Sequence, residues 1–411
     1  MTGKVAIIAT LDTKGVEVAY LRDRLNQLGV ETVVMDTGIL GEPVGIIPDI
    51  SHADLAEHGG ITLHELQNSG SRGKAVERMR KFVSSKLWQL WSAGEISGGI
   101  TVGGVGSVMG AAAIAQLPFG VPKIVVAPTA SGRHEFGPYV LRADMMVVHS
   151  VVDILGLNEI ATTMFENVAA AMKGMLEHGS VLGSPDSSKK RVGVTMLGNT
   201  TKAVEALKER LEEHGFEPVI FHSSGIGGLA MEDLAEAGQL VGVIDYTTNE
   251  IGDHLTGGIH DAGPERLTRI GKLGLPQVVL PGCVDFSVFA AGSIPEKFSD
   301  RPVYDHNPEY TLMRASREDM LEIAKDFANR LNQGTGPVEV LLPTAGLSIP
   351  NTPEGPFWDP EADAQFRKTV QENLKAGIAV EEIELHINDP ELGKIAADKF
   401  VALYKAKEAQ S

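Results

Sequence analysis

Short apolar runs alternate with amphipathic stretches along the chain. Val5-Ala6-Ile7-Ile8 is an unbroken apolar run, the pattern of a strand buried on both faces. The polar loop Leu11-Asp12-Thr13-Lys14 follows and opens a stretch with Leu21, Leu25 and Leu28 at helical spacing. That helix is expected to stop at Gly29, because glycine takes a left-handed cap at little cost. A second strand is expected over 32–35. The same order returns from Arg191: strand Val192-Gly193-Val194-Thr195, loop Gly198-Asn199-Thr200-Thr201, helix with Val204, Leu207 and Leu211, stop at Gly215, strand over 219–221. This is one β-loop-α-β unit used twice.

Further helices are expected over 74–91, 108–116 and 159–176, the last capped by Asn158. In the second half, 362–376 and a final helix from 391 follow, the latter a candidate to cross back onto the first half. Strands entered through prolines (121–128 and 275–281) and two later apolar runs (145–148 and 338–342) extend the correspondence. Strands alternating with helices imply parallel, doubly wound sheets. The fold class expected is therefore α/β, with two Rossmann-like subdomains related as an internal repeat. They span 1–180 and 190–411, joined by a Gly/Ser/Pro-rich linker over 179–190.

Composition fits this. The 411 residues include 46 glycines, and only 5% are aromatic, as suits a fold that brings backbone close to a ligand at strand-to-helix turns. Lys plus Arg is 36 against 54 Asp plus Glu, a net charge of −18. Such a surface repels phosphate backbones and anionic lipid, which argues against nucleic-acid and membrane partners. No apolar run is long enough to span a bilayer, and Asp12 falls too early for a secretory leader. The single cysteine, Cys283, allows no intrachain disulfide. A cytoplasmic location is the expectation.

Ligands of open parallel sheets bind beyond the carboxyl ends of the strands. In the first half the leading candidate there is Thr101-Val102-Gly103-Gly104-Val105-Gly106-Ser107, just before a helix. Gly103, Gly104 and Gly106 let backbone approach an anion, and Ser107 opens a helix whose free N–H groups favour negative charge. The alternative is that these glycines only permit tight packing. A P-loop lysine is absent, and Met109 stands where the dinucleotide fingerprint has its third glycine. In the first loop Asp12 is placed to hold magnesium, and Thr13 and Lys14 to meet phosphate oxygens; Asp12 and Thr13 as plain helix caps is the competing reading. Asp36, Thr37 and Gly38 end the second strand, where a carboxylate often meets ribose. Thr129 and Ser131 add hydroxyls after the fourth strand. Arg72 and Lys74 either reach the same phosphates or start a solvated helix.

The second half offers Asp245, Thr247, Thr248 and Glu250 in place of a glycine cradle, which suits a polar small molecule or proton transfer. Glu250, Asp285, His306 and Arg314 are the expected catalytic set. Glu250 and Asp285 serve proton transfer, with burial raising one carboxyl. Arg314 clamps an anionic group. His306, in what reads as a long irregular stretch, is either an acid–base or a surface group. Cys283, with no base beside it, reads as a buried thiol. The histidines at 52, 58 and 64 share no helix face, so no metal site is expected from them.

Several stretches together resemble one family: ATLDTKG at the start, TVGGVGS, SVVDILGLN from Ser150, DYTTNE, PGCVDF and YDHNPEYTLMR. They look like the Tm-one-like ATP-binding family, a group of bacterial and fungal proteins that also forms the N-terminal region of a plant virus-resistance protein. The resemblance covers nearly the whole chain. It implies two Rossmann-like subdomains and an ATP site with magnesium. The plant relative inhibits viral RNA replication by binding the viral helicase domain. Two functions follow as expectations: an ATP-dependent enzyme acting on a small polar or acidic second ligand between the subdomains, or a nucleotide-dependent module that works through a protein partner. A homo-oligomer is expected in either case.

Overall fold

The computed structural model describes residues 3–104, 106–130, 137–182 and 189–409. The chain divides into two compact units, Met1–Gly183 and Ser184–Ser411.

The first unit runs β1 Lys4–Ala9, α1 Leu11–Gln27, β2 Thr32–Asp36, α2 His52–His58, α3 Leu63–Gln67, α4 Arg72–Ser92, β3 Ile96–Val102, α5 Ser107–Ile114, β4 Lys123–Ala127, α6 Gly137–Val140, β5 Met146–His149 and α7 Glu159–His178. Its five strands are parallel in the order β2-β1-β3-β4-β5. Alternation along β1 divides the core. Val5 and Ile7 face α1 and α7 in one apolar layer, while Ala6 and Ile8 face α4 and α5 in the other. An unbroken apolar run is what such a two-sided strand requires.

The second unit runs β6 Arg191–Met196, α8 Thr201–Glu213, β7 Glu217–His222, α9 Gly227–Glu236, β8 Gly242–Thr247, α10 Asn249–Thr256, α11 Arg269–Lys272, β9 Gln277–Gly282, β10 Phe286–Ala290, β11 Val303–Asp305, β12 Tyr310–Arg314, α12 Arg317–Asn332, β13 Val338–Pro343, α13 Pro360–Asn373, β14 Ala379–Ile383 and α14 Pro390–Glu408. Six parallel strands lie in the order β14-β13-β9-β8-β6-β7. From β7 through β6, β8, β9 to β13, this repeats the order of the first sheet, with β14 added at the far edge. Both units are thus doubly wound α/β sheets.

Two expectations are corrected. The stretch around His306 is not irregular: β10, β12 and β11 form a small antiparallel sheet. Phe286, Val288 and Leu312 of that sheet pack on Phe357. The final helix packs within its own unit. Leu392, Ala396 and Phe400 of α14 share a core with Val204 and Leu207 of α8, and Gly393 lies so close to Ala203 that a Cβ there would sit 1.9 Å from its carbonyl oxygen.

Candidate functional site

The carboxyl edge of the first sheet gathers most of the residues expected to bind a nucleotide. Sequence order and sheet order part company between β1 and β3, where the chain goes to β2 on one side and then to β3 on the other, the switch point at which open parallel sheets bind ligands. The glycine turn after β3 sits at this point. Gly104 is half-buried and Gly106 exposed. Among the described residues, a Cβ on Gly104 would meet nothing within 4 Å, and one on Gly106 only the Thr10 hydroxyl at 3.3 Å. The Ser107 hydroxyl donates to the Gly104 carbonyl at 2.7 Å, and the Thr101 hydroxyl to the Ser107 carbonyl at 3.3 Å, so β3 and the start of α5 are fastened together. Gly103 N–H donates to Val126 O of β4 at 3.1 Å.

The missing third glycine is one residue further on. A Cβ on Gly110 would come 2.1 Å from the Thr101 hydroxyl and 3.2 Å from the Ile8 side chain. Gly110 therefore lets α5 lie directly against β3 and β1, the packing role of a fingerprint's last glycine. Met109, which fills the expected position, is buried in the α4–α5 layer. A search allowing one extra residue in the spacing finds Gly110.

The other loops of this edge divide into open and closed groups. Thr13 and Thr129 are exposed; Thr129 pairs with the Tyr139 hydroxyl. One Asp12 oxygen is buried without a hydrogen-bond partner. The Lys14 ammonium donates to the Ile154 carbonyl, which ties α1 to the segment before α7. Asp36, Thr37 and Gly38 are all buried. The Asp36 Oδ1 accepts Leu11 N–H at 3.1 Å and Gly38 N–H at 2.8 Å, and its Oδ2 lies 3.2 Å from His52 Nδ1. The Thr37 hydroxyl lies 3.2 Å from that of Thr10. His52 carries no signal in the sequence, because its partner is 16 positions earlier on another element. Ser131 and Val105 lie outside the described residues. Arg72 and Lys74 lie at the exposed start of α4, where the Ser71 hydroxyl accepts Lys74 N–H at 3.2 Å.

In the second unit the expected catalytic residues separate into two buried clusters and one exposed turn. Glu250 is 1% exposed, and both its oxygens are engaged: Oε2 by Arg266 Nε at 2.5 Å, Oε1 by Gly225 and Gly228 N–H at 2.9 and 3.3 Å. Arg266, fully buried, also grips both oxygens of Asp245 at 2.6 Å and reaches Glu232 at 3.4 Å. The turn Ser224-Gly225-Ile226-Gly227-Gly228 after β7 is thus a glycine-rich anion cradle, and Glu250 of the same unit fills it. This cradle follows β7; the loop after β8, the counterpart of the first unit's glycine turn, is without glycines as expected. Burial pushes the Glu232 carboxyl up to about 7, against the pull of Arg266.

Asp285 and Arg314 form the second cluster. Arg314 donates to the Asp285 carbonyl at 2.8 Å and to Asp363 at 2.9 Å, with the Asp285 carboxylate 3.9 Å away. Ser348 donates to Asp285 and Asn351 to Asp363, at 2.7 and 2.8 Å. Burial raises both carboxyls, that of Asp363 to about 6. The guanidinium therefore serves internal carboxylates. His306 is exposed in the β11–β12 turn and donates its N–H to Tyr310 O at 3.1 Å. It belongs to neither cluster. Cys283 is fully buried, and burial pushes its thiol well up, as expected of a structural thiol.

A cleft of about 670 Å³ runs along β5 and α7, lined by residues that include Met146, Val148, Val151, Ile160 and Met164. It adjoins the edge strand of the first sheet and includes none of the residues expected to bind a nucleotide. Among the described residues no group of three or more His, Cys, Asp or Glu could hold a metal, and no helix is long and apolar enough to cross a membrane.

Fold and edge together define a protein of two doubly wound α/β units with an open glycine turn at the switch point of the first. The chain belongs to the Uncharacterised protein family (UPF0261): the model of its N-terminal domain matches residues 3–180 and that of its C-terminal domain residues 189–404. A UPF0261 protein of Clostridium tetani is 36% identical over 406 residues, 98% of this chain and 99% of that one. The ToMV resistance protein Tm-1 of Solanum lycopersicum is 34% identical over 344 residues, 81% of this chain but 45% of that protein. Among solved structures, MurG of Acinetobacter baumannii aligns over 98% of this chain and 90% of its own at 12% identity, with a TM-score of 0.24, too low to carry an argument.

Proposed function

We propose that the first unit binds ATP with magnesium at the carboxyl edge of its sheet, with the phosphates at the turn Gly103–Ser107. The carrying observation is that a Cβ on Gly104 would meet no atom of the described residues within 4 Å at the switch point between β1 and β3, while Gly110 seats α5 directly behind it. Backbone that a ligand can approach, at a helix N-terminus and a switch point, suits an anion. The exposed hydroxyls of Thr13 and Thr129 border the same edge. The family resemblance points to the same ligand.

Magnesium fits one feature of this edge: the Asp12 carboxylate has a buried oxygen without a partner. Magnesium bound with a nucleotide keeps several waters and needs only one or two protein carboxylates. When bound, the ion would neutralise phosphate charge, and Asp12 would hold it directly or through its waters. Lys14, anchored on Ile154, contributes positive charge near the loop.

In the second unit Glu250, Asp285 and Arg314 serve as internal ties, so the reading favours a nucleotide-binding protein over chemistry by that set. A cytoplasmic setting suits a chain with one buried thiol. Amide hydrogen exchange tests the site: Mg-ATP should slow exchange at 103–109 and leave 245–266 unchanged. Protection confined to the second unit would refute the assignment.

A further inference from the structure

Four strands form the outer edges of the two parallel sheets, and three of them are guarded. β2 is closed by Ile50, which bridges Met35. β7 carries Glu217 and Pro218, and β14 carries Glu381 and Glu382. Proline and charge are what keep a free edge from pairing with another chain. β5, Met146-Val147-Val148-His149, has neither. The Ser150 N–H turns inward to Ala127 O, so by alternation Val147 and His149 direct their backbone N–H and C=O groups to the open side.

The internal repeat shows what such an edge accepts. In the second unit β13 takes the place of β5, and α14, packed on α8, takes the place of α7, packed on α1. There β14 runs along β13, with Ile383 in the apolar layer of Leu392 and Ala396 of α14. Lys399 of α14 pairs with Glu381 of β14. In the first unit the corresponding space is the cleft along β5 and α7, and no strand of the described residues lies in it. Its walls present Met146 at 45% exposure, Val151 at 76% and Ile160 at 57%. Val151 has a φ of 65°, a left-handed conformation that strains a β-branched residue and marks sites of function.

Among the described residues every strand already belongs to one of three sheets, so the occupant comes from another chain. The lining carries one carboxylate, Glu159, and no lysine or arginine, so it does not select a charged segment. It is complementary to itself: an exposed apolar strand borders a cleft shaped for an apolar strand.

We propose that the first unit pairs with a second copy of this chain through β5, the two strands running antiparallel about a two-fold axis so that each lies in the other's cleft. The register that uses both outward residues sets Val147 of one copy opposite His149 of the other and places the two Val148 residues side by side at the axis. The sheet then continues through the pair, and Met146, Val148 and Ile160 leave water together. This does not depend on the phosphate site.

Sedimentation velocity of the full chain tests the pairing. Wild type at micromolar concentration should run at twice the mass of one chain. Met146→Lys and Ile160→Lys, on separate elements, should each halve that mass while keeping the wild-type circular dichroism. Val148→Cys reads the register. Directly opposed residues of this kind stand about 4.5 Å apart at Cα, within reach of a disulfide. Mild oxidation should therefore link Val148→Cys chains into a reducible dimer, while wild type, whose one cysteine is buried, stays unlinked. A wild type that remains a monomer would overturn the proposal and leave the cleft to a strand of another protein. A dimer that survives both lysine substitutions and leaves Val148→Cys unlinked would overturn β5 as its contact.

Discussion

Arg266 meets Asp245 end-on, Nη1 and Nη2 each 2.6 Å from a different carboxylate oxygen, where solvent has no access to either side chain. The same guanidinium bonds Glu250 and touches Glu232, so one cation serves three buried carboxylates on α9, β8 and α10. Buried ion pairs contribute little net stability when whole, but removing one partner leaves charge stranded in a medium that solvates it poorly. Arg266→Met should therefore cost about 3–5 kcal/mol in urea unfolding of the full chain. An unchanged unfolding midpoint would show that the cluster does not hold β8 to α9 and α10.

Glu250→Gln is the milder probe of the same centre. It keeps an oxygen for Gly225 and Gly228 while weakening the bond to Arg266. It should lower the unfolding midpoint and leave Mg-ATP affinity unchanged, because its contacts lie wholly within the second unit. Loss of ATP affinity in a folded Glu250→Gln protein would return this residue to a ligand-binding role.

Stability should fall as pH rises from about 5 to 8. Burial raises Glu232 to about 7, Asp253 to about 7 and Asp363 to about 6. A carboxyl with a raised folded value stays protonated in the native chain at pH values where the unfolded chain has released the proton. Its contribution is full below the unfolded value and is lost as pH rises through the folded one. For Glu232, from an ordinary 4.5 to about 7, the ceiling is about 3 kcal/mol. Chemical denaturation at pH 5.5 and 8 should show the fall, and Glu232→Gln should shrink it. A wild-type chain more stable at pH 8 would contradict this assignment.

Residues 1–183 should fold alone. Each unit carries its own apolar layers, those of the first drawn from residues 5–181 and those of the second from 192–404. A chain ended at Gly183 should show cooperative unfolding and a dispersed amide spectrum. A molten fragment would mean that the first core depends on the second unit.

Much of this architecture is legible in the order of residues, for identifiable reasons. Strands buried on both faces leave unbroken apolar runs, as in Val5–Ile8, and glycine stops mark the helix ends at 29 and 215. The small antiparallel sheet escapes because β11 is exposed along its whole length and has no alternation to show. Arg266 escapes because it lies in an aperiodic segment and finds its three acids 16 to 34 positions away. The acids Asp245, Glu250, Asp285 and Asp36 stand out as polar residues at strand ends. Their partners, supplied by distant segments, decide whether each faces a ligand or the interior.

The phosphate site is tested most directly by titrating Mg-ATP into wild type and Gly104→Val side by side. A Cβ at Gly104 meets no atom of the described residues within 4 Å, so the variant should keep the wild-type circular dichroism and unfolding midpoint. Its branched side chain would stand where a phosphate must touch backbone, so the wild type should bind Mg-ATP and the variant should not. A folded Gly104→Val protein with wild-type affinity, or a wild type that binds no nucleotide, would contradict the account.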